Sequence, residues 1–205
     1  MDIREGRTVA PDTYRQQLDG FLERHAASRA VPAIFHAVRN LAYASDGSRS
    51  PEAAMRTGKG ACTAKHILLR DLLRHVGEEA DIELVEGDFA AALPLHGSMS
   101  DDLKRWIRSG GITDFHCYVV WHHDGGDVTL DATWPDALIP FGFAVNRNWD
   151  GASDTRIALE PIAVRSRTDD VIAQKEMLLA TLMVQQRKDR RSFLELLTAW
   201  MPGMT

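Results

Sequence analysis

The sequence predicts an α+β fold in which one central helix packs on a small antiparallel sheet. An apolar stripe with helical spacing follows the glycine-rich stretch 58–60, and two β-rich runs flank a Gly-Gly turn within 115–133. Further helical patterns occupy 10–45 and 169–200. We therefore expect one domain over 1–205, with its core at about 50–165 and the two helical stretches as additions to that core.

The composition is that of an ordinary globular protein, and it excludes several classes. A chain of 205 residues buries about 70% of its unfolded surface, so it needs no disulfide or metal staple. The net charge of -5 gives no field that would attract nucleic acid. There are only 2 cysteines, and we find no run of 18 apolar residues and no signal peptide. We expect a cytoplasmic protein without nucleic-acid or membrane partners.

The first third of the chain predicts three helices separated by residues that typically begin or end a helix. Asp12 is a candidate N-cap for the first helix, and Pro32 separates it from the second. The stretch 45–51 has the composition of a turn, and Ser50 before a proline predicts the cap of a third, short helix. Gly58 marks the expected end of that helix.

The next element is the central helix, GKGACTAKHILLRDLLRHVG, which begins near Cys62 and ends before Gly77. Alternation over 81–87 then predicts a strand. Residues 88–111 read as a loop with a short helix at 101–107, and we expect this loop to form a mobile flap beside the site. Few periodic signals follow before the C-terminal helical pattern.

Residues 169–200 show a long helical pattern, and a break in this helix is expected near the charged run RKDRR at 187–191. Five charged residues in succession are typical of a solvated helix face. The apolar face of residues 171–184 is expected to pack on the protein's own core. The sequence therefore assigns no function to this region.

The stretch 115–133 predicts a β-hairpin whose two faces differ in chemistry. With an even-numbered loop, cross-strand partners have an odd residue-number sum, and His116 and Asp131 then fall on one face. The other face carries almost only apolar side chains, so Cys117 is expected to be a small buried hydrophobic residue. An imidazole beside a carboxylate is the pair that fixes a histidine tautomer for proton transfer.

Cys62 is the candidate nucleophile because it lies where a helix begins. The unpaired N–H groups of a helix N-terminus stabilise a thiolate. Gly58 and Gly60 let the backbone turn tightly there, while Lys59 and Lys65 are expected to add positive charge. On position alone, a small residue that merely fills space at a helix start remains an equal alternative.

The order of these three residues resembles that of a known superfamily. The segments GKGACTAKHILLRDLLRHVG and DFHCYVVWHHDGGDVTLDATWP are similar to the core of the transglutaminase-like superfamily, which has a papain-like thiol-enzyme fold. The resemblance implies that Cys62 is the nucleophile, His116 the catalytic histidine and Asp131 its acid. It spans Gly58 to Pro135 and leaves both helical additions unassigned.

The sequence departs from the family in having no obvious aromatic or amide donor to the oxyanion just before Cys62. The Cys62 backbone N–H can supply one donor. Asn40 and Tyr43 are the candidates for the second. Trp134 is a candidate for the wall of a substrate groove, with buried packing as the alternative.

These residues lead us to expect a cysteine protease-like hydrolase that cleaves a peptide, protein or small amide substrate. It needs no cofactor and no metal, because the histidines and aspartates at 122–127 read as a solvated turn. The acidic net charge favours a neutral or basic substrate. The alternatives are a protein-glutamine or other acyltransferase and a non-catalytic binding module on the same fold. The oligomeric state stays open.

Overall fold

The structure is a computed structural model that describes residues 11–45 and 47–201. Within these ranges, no helix is both long and apolar enough to cross a membrane. The helices are α1 (Pro11–His25), α2 (Val31–Arg39), α3 (Pro51–Thr57), α4 (Cys62–His75), α5 (Asp101–Ser109), α6 (Val171–Thr181) and α7 (Val184–Trp200). The strands are β1 (Ala42–Tyr43), β2 (Lys59–Gly60), β3 (Glu79–Asp88), β4 (Thr113–His123), β5 (Gly126–Leu130) and β6 (Glu160–Arg167).

The sheet has four antiparallel strands in the order β5-β4-β3-β6, and β1 pairs with β2 in a separate parallel pair. Helix α4 packs across β3 and β4, and α1, α2 and α3 pack in turn on α4. This arrangement of helices on a small antiparallel sheet is an α+β fold, as the sequence predicted.

The hairpin has the register that the sequence indicated. His123 pairs with Gly126 across a two-residue loop, and Val120 pairs with Thr129, so the residue-number sums are odd. One face of the sheet packs on α4 and its neighbours, and the other packs under α5 and α7. Sheet residues on the α4 side are Ile82, Leu84, Cys117, Val119, Val128 and Leu130.

The local signals at helix ends were mostly correct. The Ser50 hydroxyl accepts the Ala53 N–H and caps α3, and Gly58 ends this helix with a φ of 68°. Gly77, with a φ of 94°, follows α4 as expected. The prediction for Asp12 was wrong, because α1 begins at Pro11 and Asp12 lies within its first turn.

The short β1–β2 pair was not predicted, since residues 42–43 had been placed in the N-terminal helical stretch, and two further elements differ from the sequence prediction. Strand β6 was missed because it is an edge strand with exposed apolar side chains, Ile162 and Val164, so it shows no buried alternation. The C-terminal helical pattern breaks at Leu182 and Met183 and not within the charged run, which lies inside α7. The break turns α7 back toward the sheet face opposite α4.

The segment 88–111 is packed into the folded protein and does not form a free flap. Phe89, Ala90, Leu93 and Met99 are buried in the apolar cluster beneath α5 and α7. Asp88 links the two ends of the segment, because its carboxylate accepts hydrogen bonds from the N–H groups of Ala90 at one end and of Gly111 and Ile112 at the other. This segment is core structure, which corrects the expectation of a flap.

Lys65 ties α4 to the segments on either side of the site. Its ammonium is fully buried and donates to three backbone carbonyls, those of Arg39 at 2.9 Å, Leu41 at 3.0 Å and Thr133 at 2.9 Å. These carbonyls belong to the entry into β1 and to the chain just after β5. Three donors match three buried acceptors, so the chain gains a fixed junction between otherwise irregular segments.

We predict that Lys65→Met destabilises the protein by about 3 kcal/mol, because it leaves buried carbonyl groups without donors. Urea unfolding followed by circular dichroism measures the change. Lys59→Met is the matched control, since Lys59 is exposed and lies six positions earlier. It should shift the midpoint little; an equal loss in both variants would contradict the structural role given to Lys65.

Candidate active site

Cys62 is the first residue of α4, and the parallel β1–β2 pair leads the chain to it. A side chain at position 60 would crowd the first turn of α4, because a Cβ atom there would lie 3.2 Å from the Cβ of Ala64. No side chain caps the first turn of α4, so its N–H groups face the Cys62 region. The Cys62 side chain is 8% exposed and opens onto a cavity.

His116 and Asp131 meet on one sheet face. His116 Nε2 lies 2.6 Å from Asp131 Oδ2, and both side chains are buried. The carboxylate also accepts the backbone N–H groups of Thr133 at 2.9 Å and Ala158 at 2.8 Å. Burial raises the pKa of Asp131, but the His116 charge and hydrogen bond outweigh it and lower this pKa well below its ordinary value. Asp131 is therefore ionised.

The remaining ring nitrogen of His116, Nδ1, is the one available to Cys62. Burial lowers the pKa of His116, but the charges of Asp131 and Cys62 and hydrogen bonds to both outweigh this and raise it to about 10. The structure thus brings Cys62, His116 and Asp131 together in the predicted order. At neutral pH the histidine is an imidazolium held between two anions.

Cys62 is a thiolate because several donors converge on its sulfur. A hydrogen bond from Cys117 lowers its pKa most; burial opposes this, and the charges of Lys175 and His116 then lower it further. The net result is a pKa well below the ordinary thiol value. A thiolate beside an imidazolium is the resting state that nucleophilic cysteine catalysis needs.

Cys117 has a larger role than the sequence suggested. It is fully buried, as expected of a small core residue, but it also faces Cys62, because a hydrogen bond with Cys62 and burial raise the pKa of the Cys117 thiol well above the ordinary value. His66 lies behind it, with Nδ1 3.8 Å from the Cys117 sulfur and Nε2 accepting the Ala132 N–H at 2.8 Å. His66 thereby joins α4 to the strand end that carries Asp131.

Lys175 on α6 places a positive charge beside the sulfur. Its Nζ lies 3.6 Å from Cys62 Sγ, and its side chain is 3% exposed. Burial lowers the pKa of Lys175, but the charges of Cys62 and Asp114 outweigh this and raise it above the ordinary value. The sequence had indicated positive charge from Lys59 and Lys65. Lys59 is exposed, whereas buried Lys65 does interact electrostatically with Cys62 although its ammonium binds three backbone carbonyls.

Sequence reasoning missed Lys175, although a signal for it exists. Lys175 falls four residues after Val171 and four before Leu179, on the apolar stripe of its helix. A lysine on a buried stripe requires a partner for its charge. The thiolate of Cys62 is that partner.

A cavity of about 380 Å³ opens over the sulfur. Its described lining includes Tyr43, Thr63, Asp114 and Lys175 beside Cys62, and α7 forms the opposite wall. No residue of the 88–111 segment is part of this lining. The wall expected from that segment is therefore formed by the C-terminal helices.

Of the three residues proposed as oxyanion or substrate contacts, only Tyr43 lines this cavity. Burial and the charge of Cys62 raise its pKa well above the ordinary value, so its hydroxyl keeps its proton. Trp134 is buried and packs against the Tyr43 ring at 4.9 Å, which makes it a support and not a groove wall. Asn40 lies elsewhere, with both ends of its amide hydrogen-bonded to Asp136.

The described residues contain no group of three or more histidine, cysteine or acidic side chains placed to hold a metal ion. At the hairpin turn His122 instead contacts Asp127 at 2.6 Å and Asp81 at 3.2 Å. These contacts account for the cluster of histidines and aspartates that the sequence shows there.

No family model matches the chain, and no curated protein matches it significantly. Membership of the transglutaminase-like superfamily therefore stays a prediction that rests on the residues Cys62, His116 and Asp131. The arrangement itself has a clear chemical capacity: a thiolate that borders a cavity, a proton donor beside it and a buried carboxylate that orients this donor.

We predict that Cys62 reacts with iodoacetamide at a nearly constant rate down to pH values well below about 8.5, where a free thiol is mostly protonated. Lys175→Met should move the inflection upward by about one pH unit, because an opposite charge near the sulfur is lost. Stopped alkylation followed by mass spectrometry of the Cys62 peptide measures both profiles.

Lys188→Met is the matched control for this experiment. Lys188 is an exposed lysine on α7 that does not line the cavity. Its replacement removes the same formal charge and should leave the inflection unchanged. A wild-type inflection at the free-thiol value, or an equal shift in both variants, would contradict the proposed thiolate.

Proposed function

We propose that this chain is a cysteine hydrolase of transglutaminase-like type, with a papain-like core, which cleaves an amide bond in a peptide, a protein or a small molecule. The observation that carries the proposal is the grouping of Cys62, His116 and Asp131 beside an open cavity, with His116 hydrogen-bonded to Asp131 at 2.6 Å and interacting electrostatically with Cys62. In such a grouping the pKa of the thiol is lowered and the pKa of the imidazole is raised. Both groups are then charged near neutral pH, which suits nucleophilic attack.

The first half of the proposed reaction forms a thioester. The Cys62 thiolate attacks the carbonyl carbon of the amide, and a C–S bond forms as the carbonyl oxygen takes up the negative charge. His116 then gives its Nδ1 proton to the amide nitrogen, the C–N bond breaks, and the amine leaves. Asp131 keeps Nε2 protonated, so the imidazole always presents Nδ1 to the reaction.

The second half returns the enzyme to its starting state. Neutral His116 accepts a proton at Nδ1 from a water molecule, and the resulting oxygen nucleophile attacks the thioester carbon. The C–S bond breaks, a carboxylic acid leaves, and Cys62 is again a thiolate beside an imidazolium. No oxidant or reductant takes part.

Two donors are available to the oxyanion in this scheme. The Cys62 backbone N–H lies at the uncapped start of α4, where the helix dipole also favours negative charge. The Tyr43 hydroxyl is the second donor that we propose, since it keeps its proton and lines the same cavity. Tyr43 lies before the nucleophile in sequence, and the β1–β2 pairing with Gly60 brings it back to the site.

Hydrolysis is favoured over transfer to an amine because the cavity carries many charged side chains. An acyltransferase needs a route that excludes water from its thioester. Arginine, lysine and serine side chains around Cys62 attract water and support hydrolysis. Acyl transfer and non-catalytic binding are the alternatives, and the following assay separates all three.

We predict that the wild-type protein hydrolyses amides in a peptide library, either at internal peptide bonds or at glutamine side chains. It should release a free carboxylic acid both with and without a primary amine at millimolar concentration. Mass spectrometry of the products is the measurement. Cys62→Ala should abolish turnover because it removes the nucleophile. Faster formation of amine adducts than of acid would favour the acyltransferase, and no product with freshly reduced Cys62 would favour the binding module.

We predict that Tyr43→Phe lowers kcat by about 100-fold with little change in KM, because a donor to the oxyanion acts mainly in the transition state. Tyr118→Phe is the control: this tyrosine donates its hydroxyl to Glu83, away from the cavity. It should keep near wild-type kcat. If Tyr43→Phe retains full kcat, the oxyanion role of Tyr43 is wrong.

A further inference from the structure

The charged run RKDRR at 187–191 has a placement that its sequence did not indicate. Arg187, Arg190 and Arg191 are spaced three and four residues apart, so they share one face of α7. All three line the cavity above Cys62, whereas Lys188, in the same run, does not. The run was expected to be a solvated face; three of its arginines instead form a wall of the candidate active site.

The cavity is rich in cations relative to acids. Its described lining carries five basic side chains, since Arg49 and Lys175 join the three arginines, and two acids, Asp114 and Glu195. The thiolate neutralises one of these positive charges. An excess of positive charge therefore remains around the opening, although the chain as a whole has a net charge of -5.

Several of these cations have hydrogen-bonding capacity to spare. Arg190 uses Nε to bind Asp114 at 2.7 Å, and its two terminal nitrogens have no other partner within the described part of the chain. Arg191 is exposed and pairs with no group among the described residues. Arg49, by contrast, is paired with Glu176 at 3.0 Å, and Arg187 donates to the Ala180 carbonyl.

We propose that the cavity binds an anionic group of the substrate, a carboxylate or a phosphate, close to the acyl carbon that Cys62 attacks. Arg190 and Arg191 are the residues that would hold this group. The proposal rests on the proposed function for the reacting bond and adds the charge class of the substrate. It replaces the expectation of a neutral or basic substrate, which considered only the net charge of the chain.

Two physical reasons make the local charges decisive. Charges separated by more than about 8 Å are screened at physiological salt, so distant acids contribute little inside the cavity. A concave site with low-dielectric walls also focuses the field of the cations that line it. A guanidinium with free terminal nitrogens matches the geometry of a carboxylate or phosphate, with which it can make paired hydrogen bonds.

The test compares two alkylating reagents that differ in charge. Iodoacetate is an anion and iodoacetamide is neutral, and in both the Cys62 sulfur displaces iodide as the C–S bond forms. Each rate constant at Cys62 is first divided by the rate constant of the same reagent with glutathione. The normalised value for iodoacetate divided by that for iodoacetamide is the selectivity ratio. We expect this ratio to favour iodoacetate at low salt and to fall as salt is added.

Arg191→Gln should lower the selectivity ratio by about three- to fivefold, which is the effect expected of one partly screened charge. Arg190→Lys keeps the charge opposite buried Asp114 but removes the guanidinium fork, so it avoids a folding defect and should also lower the ratio. Lys188→Gln is the matched control and should leave it unchanged. A ratio that favours iodoacetamide, or one that is the same in all four proteins, would overturn the proposal.

A second measurement needs no reactive thiol. In the Cys62→Ser variant, inorganic phosphate and succinate are titrated separately while the arginine Nε–H signals are followed by NMR. Saturable shifts with either anion, weakened by Arg191→Gln, support the proposal, and the tighter ligand identifies the anion. Absence of shifts with both overturns it. Should Cys62 be inert to both alkylating reagents, the proposed function fails, while this titration still decides the anion site.

Discussion

The buried negative charge of Asp131 is the constraint on which the rest of the site depends. A carboxylate on a side chain that is 1% exposed is costly unless other groups compensate its charge, and His116 and two backbone N–H groups do so here. One of these N–H groups belongs to Ala158, so the chain after the hairpin must fold back over β5. The Asp131 charge therefore constrains three features at once. These are the hairpin register, the ring orientation of His116 and the path of residues 155–158.

The same requirement acts on the other side of His116. The Cys62 thiolate is stabilised by a neutral thiol from the sheet, by the imidazolium and by an ammonium from a helix 113 residues away. Removing α6 would leave the thiolate exposed and without Lys175. The C-terminal helices thus belong to the site: α6 stabilises the Cys62 thiolate, and α7 forms a wall of the cavity above it.

Sequence reasoning reached the hairpin, its register and the start of α4 because these depend on local rules of alternation, turns and caps. The placement of His116 and Asp131 on one face followed from the parity of a hairpin with an even-numbered loop, and their roles were implied by the family resemblance. The buried position of Lys175 could have been read from its helical spacing, but its partner Cys62, the role of Cys117 and the arginine wall depend on contacts between distant segments, which periodicity does not encode. Loop 88–111 was misread because its apolar residues have no regular spacing, and β6 because an edge strand needs no buried face.

The central claim is that His116 is an imidazolium held between two anions, the Asp131 carboxylate and the Cys62 thiolate. NMR of the His116 ring nitrogens and Cε1 carbon, recorded from pH 5 to pH 10, tests this claim most directly. The account predicts a ring that stays doubly protonated through neutral pH, titrates near 10, and titrates at a clearly lower pH in Cys62→Ala. A His116 that is already neutral at pH 7 in the wild type, or that titrates identically in both proteins, would contradict it.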